Sequence, residues 1–189
     1  MEDFFKEIEY TLAALEKGDI ILYPTDTVWG IGCDATRTAA VAKIYALKKR
    51  PDSKALICLV SDVEMLGDYI EAIPEKTFEL IAGATRPMTI IYTNPVGLAK
   101  NLVAEDNTIA IRVAKDAFCS QLIKRFGKPV VSTSANLSGY PTPQSFKEIG
   151  EEILKGADYV VNLYHDKMCK HPSSIIKLEK NGEVTVVRS

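Results

Sequence analysis

The sequence predicts an α+β fold: a mixed, twisted β-sheet in a three-layer α/β arrangement, with helices on both faces. Three observations carry that expectation. Strand-like and helix-like segments mix along the chain without the strict alternation of a doubly wound sheet. Hydrophobic residues make up 47% and charged residues 25%, the balance of a globular chain able to bury a full core. No composition break, linker or repeat divides the 189 residues, so 1–189 reads as a single domain.

Each element has a local reason. Phe4, Phe5, Ile8, Leu12 and Leu15 recur at helical spacing, and Gly18 supplies the stop. Residues 19–23 read as a buried strand, Pro24-Thr25-Asp26-Thr27 interrupts it, and a second apolar run covers 28–33. Val41, Ile44, Tyr45 and Leu47 mark a second helix that runs into Lys48-Lys49-Arg50 and is ended by Pro51. Residues 55–60, 88–93 and 108–113 read as strands, with weaker helical patterns over 62–83. Phe118, Cys119, Leu122, Ile123 and Phe126 form a helical stripe closed by Gly127, and the strand at 129–133 leads into a small polar loop. Phe146, Ile149, Ile153 and Leu154 predict a helix ending at Gly156. Two last strands flank Asn181-Gly182, a two-residue hairpin signal.

Composition narrows the function classes. A net charge of −2 provides no broad positive field, so any RNA contact has to come from a local patch. The acidic start Met1-Glu2-Asp3 lacks the pattern of a signal peptide, and no apolar stretch is long enough to span a bilayer. A cytoplasmic protein without membrane contact is expected. Cys33, Cys58, Cys119 and Cys169 form no CxxC pair and read as reduced, mostly buried thiols.

Four constellations could carry chemistry. Gly30-Ile31-Gly32-Cys33-Asp34-Ala35 fits a dinucleotide fingerprint, with Asp52 at about the expected distance. Its context argues otherwise, because Pro24 to Thr27 breaks the preceding strand and the glycines fall inside an apolar run, where close backbone approach is the usual cause. Lys48, Lys49, Arg50 and Lys54 gather four cations at a helix end. They suit either a solvated helix C-terminus or a clamp on phosphate oxygens. Ser132-Thr133-Ser134-Ala135-Asn136-Leu137-Ser138-Gly139 follows a strand with hydroxyls, an amide and a glycine, as an ordinary turn or a ligand-facing loop would. His165, Cys169 and His171 lack a familiar zinc spacing, so a solvated loop and no metal site are expected there. Walker A and nucleophile-elbow patterns are both missing.

The order of these segments resembles the YrdC family of threonylcarbamoyl-AMP synthases. Tyr23-Pro24-Thr25-Asp26-Thr27-Val28-Trp29-Gly30-Ile31-Gly32 is similar to its opening motif, Lys48-Lys49-Arg50-Pro51 to KxRP, and Ser134-Ala135-Asn136-Leu137-Ser138-Gly139 to SANxSG. Ala110-Ile111-Arg112-Val113 resembles AxRV and Pro172-Ser173-Ser174-Ile175-Ile176 resembles PSTI, so the likeness runs from about residue 10 to 188.

The resemblance implies a YrdC-like fold and a nucleotidyltransferase. ATP, L-threonine and bicarbonate would become threonylcarbamoyl-AMP and pyrophosphate, for threonylcarbamoyl modification of tRNA adenosine. By motif, Thr27, Arg112 and Ser132 would hold threonine. Arg50, Lys54, Thr108, Ser134, Thr142 and Arg188 would contact ATP. Lys48, Arg50, Ser134 and Asn136 would form the catalytic constellation, Mg2+ would accompany the triphosphate, and no metal would be held by the protein itself. The product would pass to a tRNA threonylcarbamoyl transferase machinery. The alternative is a paralogue that binds nucleotide or double-stranded RNA, including tRNA, without catalysis.

Three departures stand out. Leu59 replaces a threonine-contacting histidine of some members, which implies a less polar pocket. Thr85-Arg86-Pro87-Met88-Thr89 replaces PGPxT and adds an arginine beside the site. The sequence reaches Val187-Arg188-Ser189 without the usual RPG ending or a further C-terminal domain.

Overall fold

The computed structural model describes residues 2–49, 56–169, 172–179 and 181–189. Helix α1 (Glu2–Lys17) carries Glu2 and Asp3 in its first turn and Lys17 in its last, complementing the helix dipole. It stops at Gly18, whose φ of +81° is left-handed backbone that favours glycine. Strands β1 (Ile21–Tyr23) and β2 (Gly30–Gly32) follow, then α2 (Thr38–Lys48). Helix α2 closes on Lys49, whose left-handed N–H reaches the carbonyls of Tyr45 and Ala46. The Pro51 stop expected from sequence lies outside the described residues.

Strand β3 (Ile57–Val60) leads to α3 (Val63–Gly67) and α4 (Lys76–Gly83), then to β4 (Met88–Thr93) and β5 (Thr108–Val113). Asp116 caps α5 (Ala117–Phe126) by accepting from the Cys119 N–H, and Gly127 ends it with φ +69°. Strand β6 (Val130–Ser134) comes next. The single helix expected over 146–156 is instead a 3₁₀ turn, Phe146–Glu148, and helix α6 (Glu151–Gly156). Ile149 and Gly150 between them are extended, so the apolar stripe is shared by two short pieces. Strand β7 (Tyr159–Val160), absent from the sequence expectation, precedes the hairpin of β8 (Ser174–Leu178) and β9 (Val184–Arg188).

All nine strands join one sheet in the order β7-β1-β2-β6-β3-β5-β4-β8-β9. Pairs β1–β7, β3–β5 and β4–β8 are parallel and the remaining five antiparallel, so the sheet is mixed. Strand β6 joins the halves, antiparallel to β2 on one side and β3 on the other. One face packs Ile8 and Leu15 of α1 and Phe118 and Leu122 of α5 over Tyr23, Leu59 and Val130. The other buries Ala40, Val41 and Ile44 of α2 and Ile153 of α6 over Leu22, Ile31, Cys58 and Ile111. Helices therefore cover both faces, as expected.

The two glycines of the false dinucleotide fingerprint sit inside β2, and Gly32 has no room for a side chain. A Cβ on Gly32 would lie 2.4 Å from the Val131 carbonyl oxygen and 2.7 Å from the Tyr23 ring. All four cysteines are free and buried, and burial raises each thiol above its ordinary range. None of the described helices is long and apolar enough to cross a membrane.

Candidate active site

Strand register fixes which side chains meet. Side chains alternate across a strand, so Val130, Ser132 and Ser134 of β6 share one face. Gly30 of β2 lies opposite Ser134, Ile57 of β3 opposite Ser132, and Arg112 of β5 opposite Leu59. This is the face covered by α1 and α5, but those helices cover only the Val130–Leu59 end. At the other end, Gly30, Ser132, Ser134, Ile57 and Arg112 floor a cleft of about 210 Å³. Thr27, Val28, Thr142, Pro172, Ser173 and Arg188 wall it.

Six residues expected from sequence thus converge: Thr27, Arg112, Ser132, Ser134, Thr142 and Arg188. Arg112 is 4% exposed and its Nη2 lies 3.0 Å from Asp26 Oδ1. The Arg188 guanidinium donates from Nε and Nη2 to the Ser173 carbonyl at 3.0 and 2.7 Å. Burial, then the nearby Arg112 charge, lowers the Arg188 pKa, so two guanidinium groups face one small volume. That arrangement calls for an anion.

Thr25 orders the loop above. Its hydroxyl donates to the Val28 carbonyl at 2.7 Å and accepts the Thr27 N–H at 3.1 Å. With that proton committed, the Thr27 hydroxyl is the donor across the 3.0 Å contact between the two threonines. The lone pairs of Thr27 are left to accept from a ligand.

Other expected residues lie elsewhere. Lys48 is 1% exposed, and its ammonium donates at 2.5 Å to the carbonyls of Ser134 and Asn136. It holds the SANxSG loop, and so reaches the expected catalytic constellation through the carbonyls of Ser134 and Asn136. Asn136 ties the same loop, donating from Nδ2 to the carbonyls of Leu137 and Tyr140 at 3.0 and 2.7 Å. Thr108 starts β5, four residues before Arg112, and its hydroxyl donates to Asp106 at 2.6 Å; it is outside the cleft lining. Arg50, Lys54 and His171 lie outside the described residues.

Leu59 corrects one expectation. It is fully buried against Val130 and α5, so it does not set the polarity of the pocket; Ile57, two residues earlier on the same face, lines the cleft. His165 corrects another, since it is packed rather than solvated. Its ring stacks on Phe146 at 3.8 Å, Trp29 lies 5.6 Å away, and its Nε2 is 3.0 Å from the Val161 carbonyl oxygen. No cluster of three metal-ligating side chains occurs among the described residues. Arg86, the added arginine, lines a second cavity of about 270 Å³ with Asp26 and Lys167. Thr27 and Pro172 belong to both cavities.

The sequence assigned no role to Gly30, Ile57, Ser173 or Asp26. Three of these sit in segments whose motifs were visible, Gly30 and Asp26 in the opening motif and Ser173 in PSTI. Ile57 carried no signal beyond strand hydrophobicity.

The mixed sheet and its guanidinium- and hydroxyl-lined cleft define an α/β fold whose cleft is chemically suited to an anion. The family model named for Sua5, YciO and YrdC and described as "Telomere recombination" matches residues 13–189, and the chain belongs to that family. Relatives named threonylcarbamoyl-AMP synthase include one from Xanthomonas euvesicatoria pv. vesicatoria, 33% identical, covering 82% of this chain and 85% of that protein. Another, from Pseudoalteromonas translucida, is 34% identical, with coverages of 82% and 84%. E. coli YciO superposes with a TM-score of 0.83 at 25% identity, over 96% of this chain and 88% of that one. P. abyssi Sua5 complexed with L-threonine superposes with a TM-score of 0.85 at 24% identity, a likeness of fold. The match covers 96% of this chain but 53% of that Sua5 chain, so this protein spans about half its length.

Proposed function

We propose that the chain, acting as one domain, is a cytoplasmic threonylcarbamoyl-AMP synthase serving tRNA modification. The observation that carries this reading is the convergence of Thr27, Arg112, Ser132, Ser134, Thr142 and Arg188 in one cleft. Relatives bearing that enzyme name at 33–34% identity support it.

In this reading Arg112 pairs with the threonine carboxylate, while Thr27 and Ser132 take its amine and hydroxyl. Bicarbonate and the neutral amine give a carbamate and water. A carbamate oxygen then attacks the α-phosphorus of ATP, and pyrophosphate leaves. No protein nucleophile is needed, because phosphoryl transfer rests on positioning and charge neutralisation. Arg188, Ser134 and Thr142 hold the nucleotide, together with Arg50, Lys54 and Thr108 as the resemblance implies. Lys48 and Asn136 fix the loop that presents Ser134.

The described residues offer the cleft hydroxyls but no carboxylate cluster for Mg2+. Thr27, Ser132, Ser134 and Thr142 are the cleft oxygens that an Mg2+ brought in with the triphosphate would meet, and it would supply charge neutralisation at the phosphates. A tRNA threonylcarbamoyl transferase would consume the product. Pyrophosphate release from ATP that requires both threonine and bicarbonate is the expected result. Release indifferent to either co-substrate overturns the reading. No release, with retained nucleotide or double-stranded RNA binding, would assign the chain to the non-catalytic alternative.

A further inference from the structure

The ion pair between Asp26 and Arg112 joins parts of the fold that the sheet keeps apart. Asp26 belongs to the β1–β2 connection and Arg112 to β5, with β2, β6 and β3 between them in the sheet. Both side chains are nearly excluded from solvent, 9% and 4% exposed. The 3.0 Å contact is an ion pair without hydrogen-bond geometry, and the backbone N–H groups of Lys115 and of Asp26 itself are the other donors near the carboxylate. Among the described residues the Nε–H of Arg112 is also buried and without a partner. A buried donor left open in this way is costly unless something completes it. Here that donor sits on a residue of the cleft floor, and one of its neighbours in the guanidinium is already fixed by Asp26.

We propose that Asp26 is a positioning residue: it pairs with Arg112 Nη2 and thereby holds the guanidinium on the cleft floor for the carboxylate of the amino-acid substrate. The inference deepens the proposed function and rests on its placing a substrate carboxylate at Arg112. Asp26 also keeps two facing guanidinium groups from repelling each other when the cleft is empty, so the subsite is organised before its ligand arrives. Removing the Asp26 charge frees Arg112 to turn, and carboxylate affinity falls without direct loss of a ligand contact.

The electrostatics around Asp26 provide a second readout. Burial raises its pKa first, the Arg112 charge opposes that, Asp116 at the head of α5 raises it further, and the backbone N–H groups of Lys115 and Asp26 lower it, with a net rise. The cations Arg86 and Lys167 line the same cavity. Protonation of Asp26 releases Arg112, so carboxylate affinity declines as pH falls through a value above the ordinary aspartate range.

The test is calorimetric titration of threonine, of 3-hydroxybutyrate (which lacks the amine) and of ATP into wild-type protein and Asp26→Asn. Both carboxylates should weaken by about tenfold or more, and by the same factor, with ATP affinity changed little. Unchanged affinity of folded Asp26→Asn for both carboxylates overturns the inference. Weakening for threonine alone also overturns it, by assigning Asp26 to the amine. Wild-type protein carries an independent test should Asp26→Asn not fold: threonine affinity that stays flat as the pH is lowered from about 8 to the ordinary aspartate value of about 3.9 contradicts the role. Failure of wild-type protein to bind threonine at all would instead sink the substrate reading.

Discussion

Lys48 and Lys49 are neighbours in one basic run, yet they have opposite fates. Lys48 ends α2 with its ammonium buried beneath two loop carbonyls, whereas Lys49 points outward to Glu152 at 2.7 Å. Lys48→Met should leave the Ser134 and Asn136 carbonyls without that donor and lose about 2–3 kcal/mol of stability. Urea unfolding measures the loss, and ATP affinity should drop with it because Ser134 belongs to the cleft. Lys49→Ala should leave the unfolding midpoint where it is, since an exposed ion pair contributes little. Equal effects of the two changes would contradict the loop-holding role. A basic cluster was legible from the sequence, but not this division of labour. Which lysine turns inward depends on where the Ser134–Ser138 loop docks, a contact 86 to 90 residues away in the chain.

At the scale of elements, β2 is governed by what it cannot hold. Gly32 lies against the Val131 backbone and the Tyr23 ring, so Gly32→Ala must separate β2 from β6 or displace Tyr23. We expect a loss of about 3 kcal/mol or more, above the usual range for overpacking because one clash is with backbone. Thermal and urea unfolding both report it, and a change under about 1 kcal/mol would mean the strands separate easily. Long periodic elements were legible: the spans of β4 and β5 agree with 88–93 and 108–113, and Gly18 and Gly127 end α1 and α5 as expected. Two-residue β7 was not, because so short a segment carries no period. The split between Phe146–Glu148 and α6 was hidden for a related reason. The stripe Phe146, Ile149 and Ile153 faces one core, and burial alone does not reveal that the backbone extends between its pieces.

For the whole molecule, the mixed sheet was legible in kind but not in order. Nothing local dictates that β6 lies between β2 and β3, or that β4 takes β8 as its parallel neighbour. The motifs nevertheless located most of the cleft, because each sits at a strand end or turn where the backbone meets the ligand. Asp26 escaped assignment since its partner, Arg112, is brought to it only by the assembled sheet. That assembly has a consequence in time. The cleft needs Arg188 of β9 beside Arg112 of β5, and β8 must first find β4 across more than 80 residues. Pairings between such distant segments form slowly, as loop closure must precede their reward. Trp29, the only tryptophan, is fully buried beside Phe146 and His165 and gives the refolding chain a built-in fluorescent reporter. In stopped-flow refolding, capture of a fluorescent ATP analogue should lag the tryptophan signal, and coincident phases would mean that the cleft and the Trp29 cluster form in one step. The capacity to bind would then date the last event of folding, so a newly made chain would stay inert until its final hairpin had docked.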